Sequence, residues 1–507
     1  MGRTYPGNVD DLDKHLSGIA SRLFGNRFKQ DQTLYEYLVE FLLVFVSAKK
    51  GDLKTGKLKF HESGLTGRLE YYVEPRMGLR RFIFFDKSKK GGDVPIDEYA
   101  YKEIMQALKD NIDVDTDMEK QDIIDGIQDL LHGYAVVVRN RNWCAQSLLP
   151  VCPEMVLCDT MPEEKTRRKL DWWSERGRAE IDKSFSFDKR NFLARGGELY
   201  YLHLLQALED KAERKEKLET LLSDLIGNGK NKLSDICNMV EKTWESLMEY
   251  EESDISQKLS LSFIPEDAYI ECGEYSVIEL ENFLSSDLPS INKLEILAKG
   301  IMYQIMRMMS WQVDHFLDIE KKAWIVDMKG GSTNTVKKIA AEGYSEIEND
   351  FMTALNKSAR EIGDTKIPEE KYMSLLNQAR LSTLDLFRTK GKELQCIIPT
   401  NGRYERFSLS EDVIRFLVLS LIPPQGKMTL NMFLEKLNRH FNIIIGPEEY
   451  RKYIDSTSKL ESSLTNSFAE NQEAFQAFLK ATGFLRELSD ATSIVVNPYG
   501  NVMGEQA

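Results

Sequence analysis

The sequence predicts an α+β protein that is mainly helical and has more than one domain. Apolar residues recur at helical spacing along most of the chain, and short runs rich in β-branched and aromatic residues interrupt them. The length of 507 residues corresponds to roughly three domains of ordinary size. With 42% hydrophobic and 29% charged residues, the composition is that of a folded rather than a disordered chain.

Residues 1–160 are predicted to form an N-terminal α+β domain with a basic sheet. A strong helix is expected at 30–48, because its apolar side chains share one side. Three strand-like stretches, separated by Gly and Pro, are expected at 57–61, 67–73 and 79–85. Two further helices are expected at 97–111 and 120–132.

Three more units are expected after this domain. Residues 161–255 are predicted to be a helical segment, and residues 256–400 a central helical domain. The central domain contains a long helix at 290–311, followed by the sharpest change from helical to strand-like pattern in the chain. Residues 314–329, here called the carboxylate hairpin, are predicted to form two strands around a Lys-Lys turn.

Residues 401–507 have an order of elements that resembles a winged helix. Helices are expected at 410–421, 429–441, 447–453 and 470–482, and two strands are expected around Ser489 and Asp490. A DNA-reading domain of this type concentrates positive charge on its recognition helix. These residues contain 11 Lys or Arg and 13 Asp or Glu, a net charge of −2. The sequence therefore favours docking to another protein over reading DNA.

Charge and hydropathy narrow the class of protein. The net charge of −14 argues against non-specific binding of polyanions, so a nucleic-acid contact requires a local basic patch. The first 31 residues are polar and charged, which is unlike a signal peptide. The most apolar run, 37–48, is shorter than the roughly 20 residues that span a bilayer. Six cysteines without a CxxC pair are typical of buried thiols in a reducing cytoplasm.

The segment 48–90, here called the basic segment, is strongly positive, whereas the rest of the chain is negative. It contains 12 Lys or Arg and 5 Asp or Glu, a net charge of +7 that leaves −21 for the remaining residues. Aromatic residues alternate with these charges, as they do on surfaces that bind single-stranded nucleic acid. The candidate nucleic-acid-binding residues are Arg76, Arg80, Arg81, Lys87, Lys89 and Lys90. The alternative is an ordinary sheet with its aromatics in the core and its charges in solvent.

The carboxylate hairpin ends in Asp327-Met328-Lys329, which resembles the D-x-K element of the PD-(D/E)xK nuclease family. The resemblance implies a catalytic set of Asp327, Lys329 and an upstream carboxylate, Asp314 or Asp318. It also implies a divalent metal, Mg²⁺, held by Asp318 and Asp327. The resemblance covers about 16 residues and lacks the Pro-Asp that opens the first strand in that family. The alternatives are a decayed nuclease-like fold, or a plain hairpin whose Asp327 and Lys329 are solvated or paired.

Residues 195–198, Arg-Gly-Gly-Glu, precede a long predicted helix. Free amides at a helix start attract anions, and Arg195 would add a positive charge, so the segment is a candidate anion-binding site. The alternative is a tight turn that leads into a capped helix, with Glu198 in the first helical turn.

Two segments, NFLARGGELYYLHL at 191–204 and FLRELSDATSIVVNPY at 484–499, are similar to parts of accessory proteins of bacterial DNA-targeting defence systems, such as phosphorothioation-dependent restriction. The resemblance implies a cytoplasmic subunit that works on foreign DNA beside other subunits, including an ATPase. The function expected from the sequence is a non-catalytic, DNA-associated or scaffolding subunit without a membrane contact. The alternatives are a metal-dependent nuclease, the one case that needs Mg²⁺, and a purely structural adaptor between proteins.

Overall fold

The computed structural model confirms a mainly helical chain with several small sheets. It describes residues 4–7, 18–25, 28–29, 32–50, 58–65, 67–87, 95–113, 118–137, 146–157, 161–162, 185–186, 195–227, 231–248, 257–330, 335–361, 369–457, 465–489 and 492–502. In this part of the chain no helix is both long enough and apolar enough to cross a membrane. The predicted domain boundaries stay predictions.

The helices of the first half are α1 Ile19–Phe24, α2 Leu34–Val46, α3 Met77–Phe84, α4 Pro95–Asn111, α5 Lys120–His132, α6 Gly196–Ala207, α7 Ala212–Leu225 and α8 Lys232–Met248. Those of the second half are α9 Ile270–Ser285, α10 Ser290–Leu317, α11 Thr335–Glu361, α12 Glu369–Ser382, α13 Leu384–Glu393, α14 Glu411–Leu421, α15 Leu430–Phe441, α16 Pro447–Thr457 and α17 Thr465–Ala481.

The strands are short. They are β1 Thr4–Tyr5, β2 Ala48–Lys49, β3 Glu70–Val73, β4 Ala135–Val137, β5 Ser147–Leu148, β6 Met161–Pro162, β7 Phe185–Ser186, β8 Gln257–Ser260, β9 Ile264–Pro265, β10 Trp324–Ile325, β11 Ile397–Ile398, β12 Arg406–Phe407, β13 Lys427–Thr429, β14 Ile443–Ile444, β15 Leu485–Ser489 and β16 Thr492–Val496. Two antiparallel sheets have three strands, in the orders β2-β3-β8 and β13-β16-β15, while β10 and β14 form a parallel pair.

One hydrophobic core connects the N-terminal and C-terminal parts of the chain. A single cluster of buried side chains extends from Ile19 to Val495. Helix α10 lies in it, with almost every residue from 293 to 314 buried, and helix α14 packs against both α9 and α10. The C-terminal residues therefore share apolar burial with the central helices, and this burial stabilises both parts together.

Helices α2 and α6 cross at very short range, which explains the two glycines at 196 and 197. A Cβ on Gly197 would lie 2.2 Å from the carbonyl oxygen of Tyr37, and a Cβ on Gly196 would lie 2.3 Å from the Tyr37 ring. Any side chain at either position would force the helices apart. The sequence pattern suggested a turn here, whereas close helix packing is the stronger requirement.

Two of the predicted strands are wrong. Residues 79–85 belong to helix α3 and its cap, and residues 314–317 are the last turn of α10. Every residue of α3 is buried, so its two arginines do not mark a solvent face. Such a short, fully buried run cannot be assigned from periodicity alone. Gly78 is required here because a Cβ would lie 2.4 Å from the Cβ of Trp244.

Candidate functional site

The basic segment does not form the exposed, aromatic-laced sheet that the sequence predicted. Arg80 and Arg81 lie on helix α3 with no exposed surface, and the Arg81 guanidinium lies 4.9 Å from the ring centroid of Trp244 on α8. Long aliphatic stems let arginine take part in such packing. These two arginines therefore cannot present positive charge to a polyanion, and their assignment to a nucleic-acid-binding surface is wrong.

The other predicted nucleic-acid contacts are dispersed. Arg76 precedes α3 in the left-handed region, with φ of 50°, and its side chain donates to Glu74 at 3.0 Å. Lys87 forms an ion pair with Asp129 on α5 at 2.9 Å. Lys89 and Lys90 lie outside the described residues. The four described candidates, Arg76, Arg80, Arg81 and Lys87, thus contact the molecule's own carboxylates or lie in its core.

The amino end of helix α6 binds a carboxylate of the same chain, that of Glu40. The Glu40 carboxylate of α2 accepts from the amides of Arg195 at 2.9 Å and Gly197 at 2.8 Å, and from the Gln32 side chain at 2.8 Å. Burial raises the pKa of Glu40 to about 7 against the effect of these donors. The predicted anion site is therefore closed by an internal carboxylate at the positive end of the helix.

Arg195 is held in the same cluster. Its Nε donates to Glu198 at 2.5 Å, and its guanidinium also donates to the carbonyl oxygen of Ser260 on β8. The hydroxyl of Tyr71 on β3 donates to the other oxygen of Glu198 at 2.6 Å. Arg195 is thus a link between α6 and the β2-β3-β8 sheet. The alternative prediction of a structured turn at a helix start describes this region better than an external anion site.

Helix α3 repeats the arrangement. The Glu241 carboxylate of α8 accepts from the amide of Gly78 at 3.3 Å and from that of Leu79 at 2.8 Å. In both α3 and α6 an arginine in the left-handed region precedes the helix, and a buried glutamate from another helix closes its amino end. These carboxylates replace the water that would otherwise satisfy the free amides.

The carboxylate hairpin is not a hairpin. Strand β10 pairs in parallel with β14, which lies more than a hundred residues later in the chain. Asp327 follows β10 and is buried; its Oδ2 accepts from Nε of Arg406 at 2.8 Å, and its Oδ1 accepts from the Gly330 amide at 3.1 Å. Lys329 is exposed and pairs with Glu470 on α17. The predicted alternative, in which Asp327 and Lys329 are paired, matches these contacts.

The upstream carboxylates lie on a helix end and not on a neighbouring strand. Asp314 is in the last full turn of α10, and Asp318 is its exposed cap, with φ of 57°. Asp314 is buried and accepts from the Lys322 amide at 2.9 Å. Among the described residues no group of three or more His, Cys, Asp or Glu side chains could hold a metal ion. In this part of the chain the predicted pair of Asp318 and Asp327 gains no third ligand of these types, and the catalytic set built on it stays a prediction.

Asp314 is nevertheless an unusual carboxyl group. Burial raises its pKa to about 7, and the charge of Asp350 adds to this effect, while the Lys322 amide and the charges of Lys322 and Lys321 oppose it. A folded-state pKa above the unfolded value of 3.8 means that the folded protein binds the proton more tightly. This contribution to stability is complete below pH 4 and is lost as the pH rises through 7.

We expect Asp314→Asn to remove this pH dependence. The difference in unfolding free energy between variant and native protein should change by up to about 1.4 kcal/mol per pH unit between pH 4 and 7, in favour of the variant at higher pH. Urea unfolding at a series of pH values measures it. Asp318→Asn, at the exposed cap, is the control and should follow the native profile. A constant difference for Asp314→Asn would contradict the assignment.

A buried polar cluster that the sequence did not single out connects helices α9, α10 and α15. Arg307 of α10 donates to Glu279 of α9 at 3.0 Å, to Ser276 Oγ at 2.7 Å, and to the carbonyl oxygen of His440 on α15 at 2.8 Å. Nδ1 of His440 lies 2.7 Å from the same Glu279 oxygen. The ion pair of Arg307 and Glu279 has no exposed surface. The sequence did contain a sign of the cluster, because Gln304 and Arg307 interrupt an otherwise apolar helix. Their partners lie far away in the sequence, so they could not be identified from it.

The cluster includes a contact between a serine and a histidine. Nε2 of His203 on α6 lies 2.7 Å from Ser276 Oγ, which superficially resembles a serine–histidine pair. Both residues are fully buried, and burial lowers the pKa of His203 to about 3. Arg307 also donates to the same hydroxyl. Because these groups are buried and hydrogen-bonded to one another, their contacts hold helices α6, α9 and α10 together.

An open groove of about 670 Å³ lies between residues 58–63 and helix α7. Its charged lining residues are Lys59, Glu62, Lys215, Glu216, Glu219 and Asp224. Two of these residues fix its wall: Glu219 accepts from the Phe60 amide at 2.9 Å, and Lys215 donates to the carbonyl oxygen of His61 at 2.6 Å. The groove is mixed in charge and also has apolar lining residues, Leu58, Phe60 and Ala212.

The comparisons with known proteins add no functional assignment to this geometry. No known protein family, no curated protein and no solved structure matches the chain.

Proposed function

We propose that this protein is a non-catalytic scaffolding subunit of a cytoplasmic, multi-protein assembly. The observation that carries the proposal is that buried charged groups of the chain bind one another or the chain's own backbone amides. Asp327 is paired with Arg406, Glu40 closes α6, and the ion pair of Arg307 and Glu279 joins α9 to α10. Groups that would serve as catalytic or ligand-binding residues instead fix helices and strands in place.

We further propose that residues 401–507 form a winged-helix-like unit that docks another protein. Helices α14 and α15 flank strand β13, helix α17 follows, and β15 and β16 close a sheet of order β13-β16-β15. The exposed positions of α17 include Glu470 and Glu473, and its exposed Lys480 is paired with Glu487 on β15. A helix with this charge is unsuited to the DNA backbone, which supports a protein as the partner.

The proposed assembly is a prokaryotic defence complex with an ATPase among its subunits. This part of the proposal depends on the similarity of segments 191–204 and 484–499 to accessory proteins of such systems. DNA would reach the complex through its partners, because Arg80 and Arg81 are buried. A nuclease that needs Mg²⁺ is the alternative that the experiment must exclude.

The test combines assembly and activity. The chain should co-purify in a defined complex when it is expressed with the products of its neighbouring genes, as measured by size-exclusion chromatography with light scattering. The chain alone should neither shift a labelled DNA duplex at low salt nor cleave it with Mg²⁺. Monomeric behaviour with every neighbour, or cleavage by the chain alone, would overturn the proposal.

A further inference from the structure

The hairpin formed by β11 and β12 holds an exposed tip on a rigid base. At the base, Arg388 forms an ion pair with Glu405 at 3.3 Å, and Arg406 donates to the buried Asp327 at 2.8 Å. The Phe407 ring is stacked on Trp324, with centroids 4.6 Å apart and planes at 8°. Residues 400–404, Thr-Asn-Gly-Arg-Tyr, are all exposed and are here called the tip. The tip is thus presented by well-fixed strands.

Tyr404 is the unusual residue of the tip. It has φ of 66°, in the left-handed region that aromatic residues rarely adopt, and its side chain is 76% exposed. Tyr269 has the same φ but is 5% exposed, and its hydroxyl donates to the carbonyl oxygen of Phe24 at 3.0 Å. Within the described chain Tyr404 has neither a hydrogen bond through its hydroxyl nor an aromatic neighbour. Internal contacts that offset the strain at Tyr269 are therefore missing at Tyr404.

We propose that the tip is a docking finger for a protein subunit, with Tyr404 as its anchor. The proposal rests on the scaffolding function above and names the surface that one partner contacts. The partner's surface is concave and partly apolar to receive the Tyr404 ring, and it carries a carboxylate for Arg403. Tyrosine and arginine are the residue types most enriched where interfaces gain their binding energy. Binding would bury the ring and offset the strained backbone.

The charges around the tip favour a protein over a nucleic acid. Arg388 is paired with Glu348 and Glu405, and Lys392 is paired with Glu405. In the described part of the chain Arg403 has no ion-pair partner, so the tip offers a single free positive charge. One cation on a protein of net charge −14 does not attract a polyanion, whereas it suits one carboxylate in a protein pocket.

The experiment places a photo-crosslinking benzoylphenylalanine at position 404 of the full chain in its native cells. Position 373, an exposed methionine on α12 and outside residues 401–507, is the control. We expect one protein adduct at 404. That protein, once identified and purified, should bind the native chain at least about tenfold more tightly than it binds Tyr404→Gly, Tyr404→Ala or Arg403→Glu.

Stability measurements separate docking from folding. Glycine adopts positive φ without strain, so Tyr404→Gly should unfold at the same or a higher temperature than Tyr404→Ala. An adduct at 373 but not at 404 would show that a partner contacts another surface, which would overturn the docking finger and leave the scaffolding function standing. Absence of adducts at both positions, with a monomeric chain in the cell extract, would overturn both. An adduct of position 404 with nucleic acid, or equal affinity for all variants, would overturn the finger.

Discussion

Replacing Arg307 by alanine is expected to lower the free energy of unfolding by about 3–5 kcal/mol. The change removes the partner of Glu279 and leaves that carboxylate in the core without its strongest counter-charge. Burial by itself raises the pKa of Glu279, but Arg307, with His440 and Gln304, holds it below its ordinary value. The loss should appear in chemical unfolding monitored by circular dichroism, together with looser packing of α9, α10 and α15.

Two control variants identify the cause. Arg439→Ala removes an exposed arginine that pairs with Glu435 one turn away at 2.8 Å, and it should cost no more than about 0.5 kcal/mol. The double variant Arg307→Met with Glu279→Leu removes both charges and should recover much of the stability lost in Arg307→Ala. If Arg307→Ala unfolds like the native protein, the cluster is not a structural link between these helices.

The second large effect is expected at Asp327. Asp327→Ala leaves Arg406 nearly buried without its carboxylate, so we expect a loss of about 3–5 kcal/mol. Lys329→Ala, two residues away, breaks an exposed pair with Glu470 and should cost about 0.2–1 kcal/mol. If Asp327 and Lys329 formed a nuclease site instead, both variants would lose Mg²⁺-dependent cleavage and keep their stability. Unfolding and cleavage assays on the same two variants therefore separate the two functions.

Local sequence patterns were sufficient for much of the fold. Helix α5 lies at the predicted residues 120–132, and the predicted helix at 30–48 contains α2, which starts with Thr33 and Glu36 in a reciprocal cap. These helices have an apolar face and a polar face, or a clear start signal, and both features are local. The mainly helical class follows from such segments.

The errors arose where a segment is buried on every side or where its partner is remote. The run at 79–85 is short and has no exposed face, so strand and helix could not be distinguished from the order of its apolar residues. Arg80 and Arg81 were expected in solvent because charged residues are rarely buried. Asp327 finds its partner 79 residues later, and no local pattern indicates such a distance. An ion pair of Asp327 was among the alternatives predicted from the sequence, but the sequence could not identify Arg406 as the partner.

The closure of α6 and α3 by Glu40 and Glu241 has a consequence for how the chain folds during synthesis. Glu40 and its donor, the amide of Arg195, are 155 residues apart in the sequence, and Gly78 and its acceptor Glu241 are 163 residues apart. Such loops must close before the contacts can form, so contacts between distant segments slow folding. The first 160 residues therefore leave the ribosome before their stabilising helices exist, so they should depend on chaperones or on delayed folding until residue 241 has emerged.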